Sequence, residues 1–176
     1  MHRPAYLALI GLVATLALAA PAAAVATMNG IPTPPRVTVV HAECPDVGGS
    51  CADAYQEAIY LAPGADRFDR QHELGHLFDA ELLDDAERNA LTPLLGVDAP
   101  WEQGTGEDCW SAACPSERFA DAYAACRLKL YPEGHRRREH VVTDWQTAYG
   151  YNPTVAVHRR MCRAIMRFAS LDLAHT

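Results

Sequence analysis

Two histidines four residues apart enclose a glutamate in the segment His72-Glu73-Leu74-Gly75-His76. On a helix, positions i and i+4 project from one face one turn apart, so both imidazoles can reach a single metal ion. Glu73 falls one residue round, beside that face, where a carboxylate can take a proton from metal-bound water without occupying the metal. With eight His and ten Glu in 176 residues, chance alone would produce this spacing only roughly 0.02 times per chain. A solvated helix with two surface histidines is the plain alternative. Gly75 costs a helix interior roughly 1 kcal/mol relative to Ala, which makes sense if another segment or a substrate passes close by, or if packing demands it.

Two histidines do not hold zinc tightly, so a third protein ligand is expected, with the fourth position left for water. Glu117 and Asp121 are again four apart and share a face if their segment is helical. One carboxylate can then ligate while the other accepts a hydrogen bond from the free ring N–H of a ligating histidine. Taken alone, they are an ordinary pair of solvated helix carboxylates; the upstream motif is what raises them. Glu117 is the preferred third ligand, with Asp121 itself, Asp108 and Glu107 as rivals.

His72-Glu73-Leu74-Gly75-His76 followed by Glu117-Arg118-Phe119-Ala120-Asp121 resembles the gluzincin metallopeptidases, the thermolysin-like clan. The resemblance implies a zincin-like fold, zinc on His72, His76 and Glu117, Glu73 as general base, and Asp121 supporting the first histidine. It covers these two segments and a strand at residues 57–62, which would match the family's edge strand that pairs with extended substrate. The chain is much shorter than thermolysin, so a minimal, divergent member is implied. The metzincin pattern fails, because it needs Gly at position 79 and His at position 82 where this chain has Asp79 and Leu82. Gly104-Thr105-Gly106-Glu107-Asp108 is faintly similar to the aspzincin Gly-Thr-x-Asp segment, but it carries Glu at the matching position and lies far downstream.

These residues together predict a zinc-dependent hydrolase, foremost a peptidase acting on peptide or protein substrates. Glu73 would accept the proton of the attacking water and return it to the leaving amine. Two alternatives are a secreted zinc-binding or interaction module without turnover, and a zinc amidase acting on a non-protein amide. His135, His140, Tyr149 and Tyr151 are candidate oxyanion donors without diagnostic spacing. Trp101 and Trp110 are candidates for a pocket wall or the core, and His41 and His158 read as packing or surface residues.

The rest of the chain must export and position this constellation. Residues 1–26 combine Arg3, an apolar run from Tyr6 to Ala20, and Pro21 before alanine-rich cleavage patterns, the marks of a secretory signal peptide. Residues 27–176 then suit a single secreted domain. They carry 14 Lys+Arg against 22 Asp+Glu, net −8, which argues against a general nucleic-acid or membrane-surface role. The basic run at 136–138 reads as solvated surface. All six cysteines lie in the exported part, and an even count there reads as three disulfides, preferred as 44 with 51, 109 with 114, and 126 with 162.

The elements predicted from pattern are an α+β set, with a small antiparallel sheet followed by about four helices. The proline-rich stretch at 26–36 reads as an irregular lead-in, and residues 43–53 as a stapled loop. Strands are predicted at 36–41 and 57–62. A first helix starts at Arg67 with Asp66 or Asp69 as cap, and a second runs over 84–95 to Gly96. After a long loop at 97–113, Pro115 opens a third helix to about Leu130, with Phe119, Tyr123, Cys126 and Leu130 on one stripe. A last helix spans 154–170, with Val155, His158, Cys162, Ile165 and Met166 turned inward.

Overall fold

Among the described residues, five short strands precede four helices: β1 (Thr27–Met28), β2 (Ile31–Pro32), β3 (Thr38–Val40), β4 (Cys51–Asp53), β5 (Ala58–Tyr60), α1 (Arg67–Leu82), α2 (Asp85–Leu95), α3 (Pro115–Leu128) and α4 (Val155–Asp172). The structure, a computed structural model, describes residues 27–45, 47–101, 114–130 and 150–172. The proposed signal segment 1–26, Glu107, Asp108, Cys109, Trp110, His135, the basic run 136–138, His140 and Tyr149 lie outside the described residues. Among the described residues, no helix is long and apolar enough to cross a membrane.

The α+β class and the four helices agree with expectation, but the sheet is mixed rather than antiparallel. Its order is β3-β5-β4, with β3 parallel to β5 and β4 antiparallel to it. The extra strand is β4, inside the stretch expected to be loop. Cys51, its first residue, is bonded to Cys44, and the Asp53 carboxylate accepts hydrogen bonds from the Tyr55 and Gln56 N–H groups. That local turn folds β4 back onto β5, so β5 becomes the centre of the sheet and not an edge. Ile59 of β5 is fully buried.

The lead-in is likewise not irregular. Asn29-Gly30, both at positive φ (56° and 81°), make the tight turn that joins β1 to β2. Ile31 is buried in the core. The hairpin is fastened to α3 by Arg127, whose guanidinium donates to the carbonyls of Ile31 and Pro32 and to Thr33 Oγ1, while Asn29 Nδ2 donates to the Arg127 carbonyl.

Helix α1 begins in a reciprocal cap. Asp66 accepts from the Phe68 and Asp69 N–H groups, and the Asp69 carboxylate accepts from Asp66 N–H. Helix α2 repeats the arrangement with Asp84 and Glu87 and ends at Gly96 in the left-handed region. A buried ion pair locks the two helices: Arg88 Nε donates to Asp79 Oδ1 at 2.7 Å, and Nη2 donates to the Asp79 carbonyl at 2.6 Å.

Helix α3 is buried on nearly every side, not along one stripe. Phe119, Ala120, Ala122, Tyr123, Ala124 and Ala125 are all inaccessible. Phe119 and Tyr123 pack with Phe78 of α1, and Cys126 is bonded to Cys162 of α4. Cys114 is also disulfide-bonded, but its expected partner Cys109 lies outside the described residues. On α4, Met161 and Ala169 are fully buried, which the expected inward set omitted, whereas Val155 is only half-buried.

Candidate metal centre

The candidate metal-binding face forms where α1 crosses α3, and Gly75 sets how closely they approach. A Cβ on Gly75 would lie 2.7 Å from Ala120 Cα and 3.2 Å from its carbonyl oxygen. No side chain fits in that space. The glycine anticipated to admit a passing segment thus admits the backbone of α3 between Glu117 and Asp121.

This contact brings the two i, i+4 pairs face to face. His72 Nε2 lies 3.2 Å from Glu117 Oε2, His76 Nε2 lies 3.1 Å from His72 Nε2, and His76 Nε2 lies 3.4 Å from Glu117 Oε2. The three ligand atoms form a nearly equilateral triangle able to hold a metal ion. On its other side the His72 ring meets Asp121, with Nδ1 3.0 Å from Oδ1. Asp121 is completely buried, so the solvated-carboxylate alternative does not apply. The His76 side chain keeps 21% exposure, against 8% for His72 and 10% for Glu117, so the triangle faces outward on the His76 side.

The electrostatics follow from burying opposite charges together. Burial alone would lower the His72 pKa, but hydrogen bonds to Asp121 and Glu117, with the charges of Glu73 and Asp121, outweigh it and push it up to about 10. Burial likewise favours the neutral form of Glu117, yet its hydrogen bonds to His72 and His76 prevail and hold it at about 2. Glu73 is shifted upward by burial, against the opposing pull of His76 and His72. A carboxylate kept partly basic beside two imidazoles is suited to accept a proton.

Four of the five preferred site residues therefore meet directly, and Glu73 is buried beside them on the same helix. Tyr151 does not join them. Its hydroxyl lies in the core, 3.3 Å from His158 Nδ1, and it is fully buried; it is removed from the oxyanion candidates. His41 is exposed and His158 buried. Trp101 packs on Phe119 and donates its indole N–H to Asp79 Oδ2 at 3.1 Å. Sequence reasoning missed this Asp79, Arg88 and Trp101 network, which pins the end of the histidine helix. The signal was available in Asp79 and Arg88, two ionisable residues near the junction of two predicted helices.

No protein-family model, curated protein or solved structure matches the chain.

Proposed function

We propose that the chain is a zinc-dependent hydrolase of the gluzincin type, with peptide bonds as its foremost substrate class. The triangle of His72, His76 and Glu117 carries this reading. Ligands roughly 2.0–2.1 Å from zinc in a tetrahedron stand about 3.3 Å from one another, and the three separations here are 3.1, 3.2 and 3.4 Å. Two imidazoles and one carboxylate, leaving a fourth corner, are the donor set of catalytic rather than structural zinc sites. Bound there, zinc supplies Lewis acidity, making water nucleophilic near neutral pH and polarising a carbonyl oxygen.

The chain's own residues supply the rest. Asp121 accepts a hydrogen bond from His72 Nδ1–H, which turns Nε2 toward the metal position and aims the ring. Glu73, one residue round from the ligand face, takes the proton of the attacking water and delivers it to the leaving amine. Since β5 is central, an extended substrate would pair with β4, which ends the sheet among the described residues and packs against α1. The disulfides support export, because such bonds persist in oxidising compartments.

The test is cleavage of a peptide library by the mature chain with and without a chelator, together with Glu73→Gln. Cleavage should require one zinc per chain. The Glu73→Gln variant should keep its zinc and lose turnover by about 10²–10⁴-fold. A wild-type protein that holds zinc but hydrolyses no amide would sink the hydrolase reading and leave a binding module.

A further inference from the structure

Helix α4 turns unlike faces inward and outward. His158, Met161, Ile165 and Ala169 are buried against the core, while the exposed positions through Ser170 are Ala156, Arg159, Arg160, Arg163, Arg167 and Ser170 itself. At the pitch of a helix these six share one side, so the outer face is four guanidinium groups between two small side chains. No acidic residue precedes Asp172 on this helix. Among the described residues none of the four arginines makes an ion pair, whereas Arg36, Arg88, Arg118 and Arg127 are each engaged by a carboxylate or by carbonyls.

A face of one sign is costly to a helix. Like charges three or four residues apart repel, and Arg159 with Arg163, Arg160 with Arg163, and Arg163 with Arg167 are three such pairs. Residues 27–176 carry 22 Asp+Glu against 14 Lys+Arg, yet no acid alternates with these cations. An anionic partner would offset their repulsion.

The shape of the face narrows the partner. It is one helix wide and about 12 Å long from Arg159 to Arg167. A planar anionic membrane would meet the surroundings of the stripe as well, on an exported chain of net charge −8, and the face offers no large apolar side chain to insert. Nor does it hold an aromatic ring on which a nucleic-acid base could stack. A narrow partner meets the stripe alone, because screening confines its interactions to about 8 Å. In an extended peptide, alternate side chains stand about 6.7 Å apart, close to the rise of about 6 Å from Arg159 to Arg163 and from Arg163 to Arg167. Guanidinium and carboxylate pair through two parallel hydrogen bonds.

We propose that Arg159, Arg160, Arg163 and Arg167 form a docking surface for an acidic, extended segment of a protein partner, held through carboxylates at alternate positions. This inference does not depend on the His72 site.

The experiment follows the fluorescence anisotropy of a labelled peptide of alternating aspartate and serine added to the full mature chain. The peptide should bind, and its asparagine–serine counterpart should not. Affinity should fall as salt rises from about 0.01 to 0.15 M, which shortens the Debye length from about 30 to 8 Å. Arg163→Gln/Arg167→Gln should weaken binding about tenfold, at roughly two- to fivefold per exposed ion pair. Arg67→Gln/Arg70→Gln, which removes the same charge from exposed positions of α1, should leave binding unchanged. Because the α4 variant relieves like-charge pairs, its denaturant midpoint should match or exceed that of wild type; a lower midpoint would mean that the arginines are already engaged within the chain, and overturns the proposal. So does a peptide that fails to bind, or equal weakening by the two double variants. Tighter binding through the same arginines to vesicles of anionic phospholipid, or to a single-stranded oligonucleotide, also overturns it.

Discussion

His72 presents its two ring nitrogens to different partners, Nδ1 to Asp121 and Nε2 to Glu117 and His76. In the proposed zinc site the first contact would fix the tautomer and the second would deliver the ligand atom. Asp121→Asn removes the acceptor charge but keeps the shape, so it should weaken zinc binding by about 10–100-fold with the fold intact, as measured by competition with a chelator. Proton linkage gives a second residue-scale expectation. With its pKa raised to about 10, His72 in chelator-stripped protein is protonated at neutral pH, whereas the metal takes neutral imidazole. Zinc loading should therefore release a proton, and apparent affinity should rise with pH up to about 10. Calorimetry in buffers of different ionisation enthalpy reads this directly; an absence of proton release at pH 7 would contradict it.

Between elements, the distance from α1 to α3 decides whether the four side chains converge. Gly75→Ala should gain roughly 1 kcal/mol of helix propensity, yet its Cβ would enter the 2.7 Å space before Ala120 Cα. Backbone displacement of this kind costs about 1–3 kcal/mol. We expect a net loss of stability in denaturant unfolding together with weakened zinc binding; a more stable variant with unchanged affinity would refute the close-crossing account. The helices were legible in the sequence because caps and periods are local: Asp66, Asp84 and Gly96 stand where they were expected. The sheet was less so. β4 has no apolar alternation and owes its strand to the Asp53 turn and the Cys44–Cys51 bond. The Asn29-Gly30 turn was readable as a hairpin signal, but the surrounding prolines masked it.

At the scale of the molecule, the core encloses His158, a histidine that acid can charge. Burial holds His158 down at about 4, against a hydrogen bond to the Leu130 backbone that favours its charged form. Its folded pKa is below the unfolded value of 6.5, so the unfolded chain binds more protons between those values and stability falls as pH drops through that window. The loss attributable to this group is on the order of 3 kcal/mol. Denaturant unfolding of wild type and His158→Phe between pH 7 and 4 should show that part only in wild type, and parallel curves would exclude it. In the chain-entropy description the Cys126–Cys162 bond, with a sequence separation of 36, adds about 4 kcal/mol by restricting the unfolded chain. It does so across the helix, α3, that carries Glu117 and Asp121.

The sequence by itself determined the chemistry available: the two i, i+4 pairs, the carboxylate beside the first and the helix that bears each, while the structure decided among the possible cysteine pairings for Cys44 with Cys51 and Cys126 with Cys162. The helices and the pairs they carry follow from spacing and local hydrogen bonding, which act over a few residues. Tertiary structure decided what spacing cannot. Glu117 joins His72 and His76 while Asp121 turns to the far side of the His72 ring, because which carboxylate meets which nitrogen depends on the angle and closeness of a helix crossing over 40 residues distant in sequence. The same holds for Tyr151, withdrawn into the core against His158, and for β5, which became the middle of its sheet only when β4 folded back beside it.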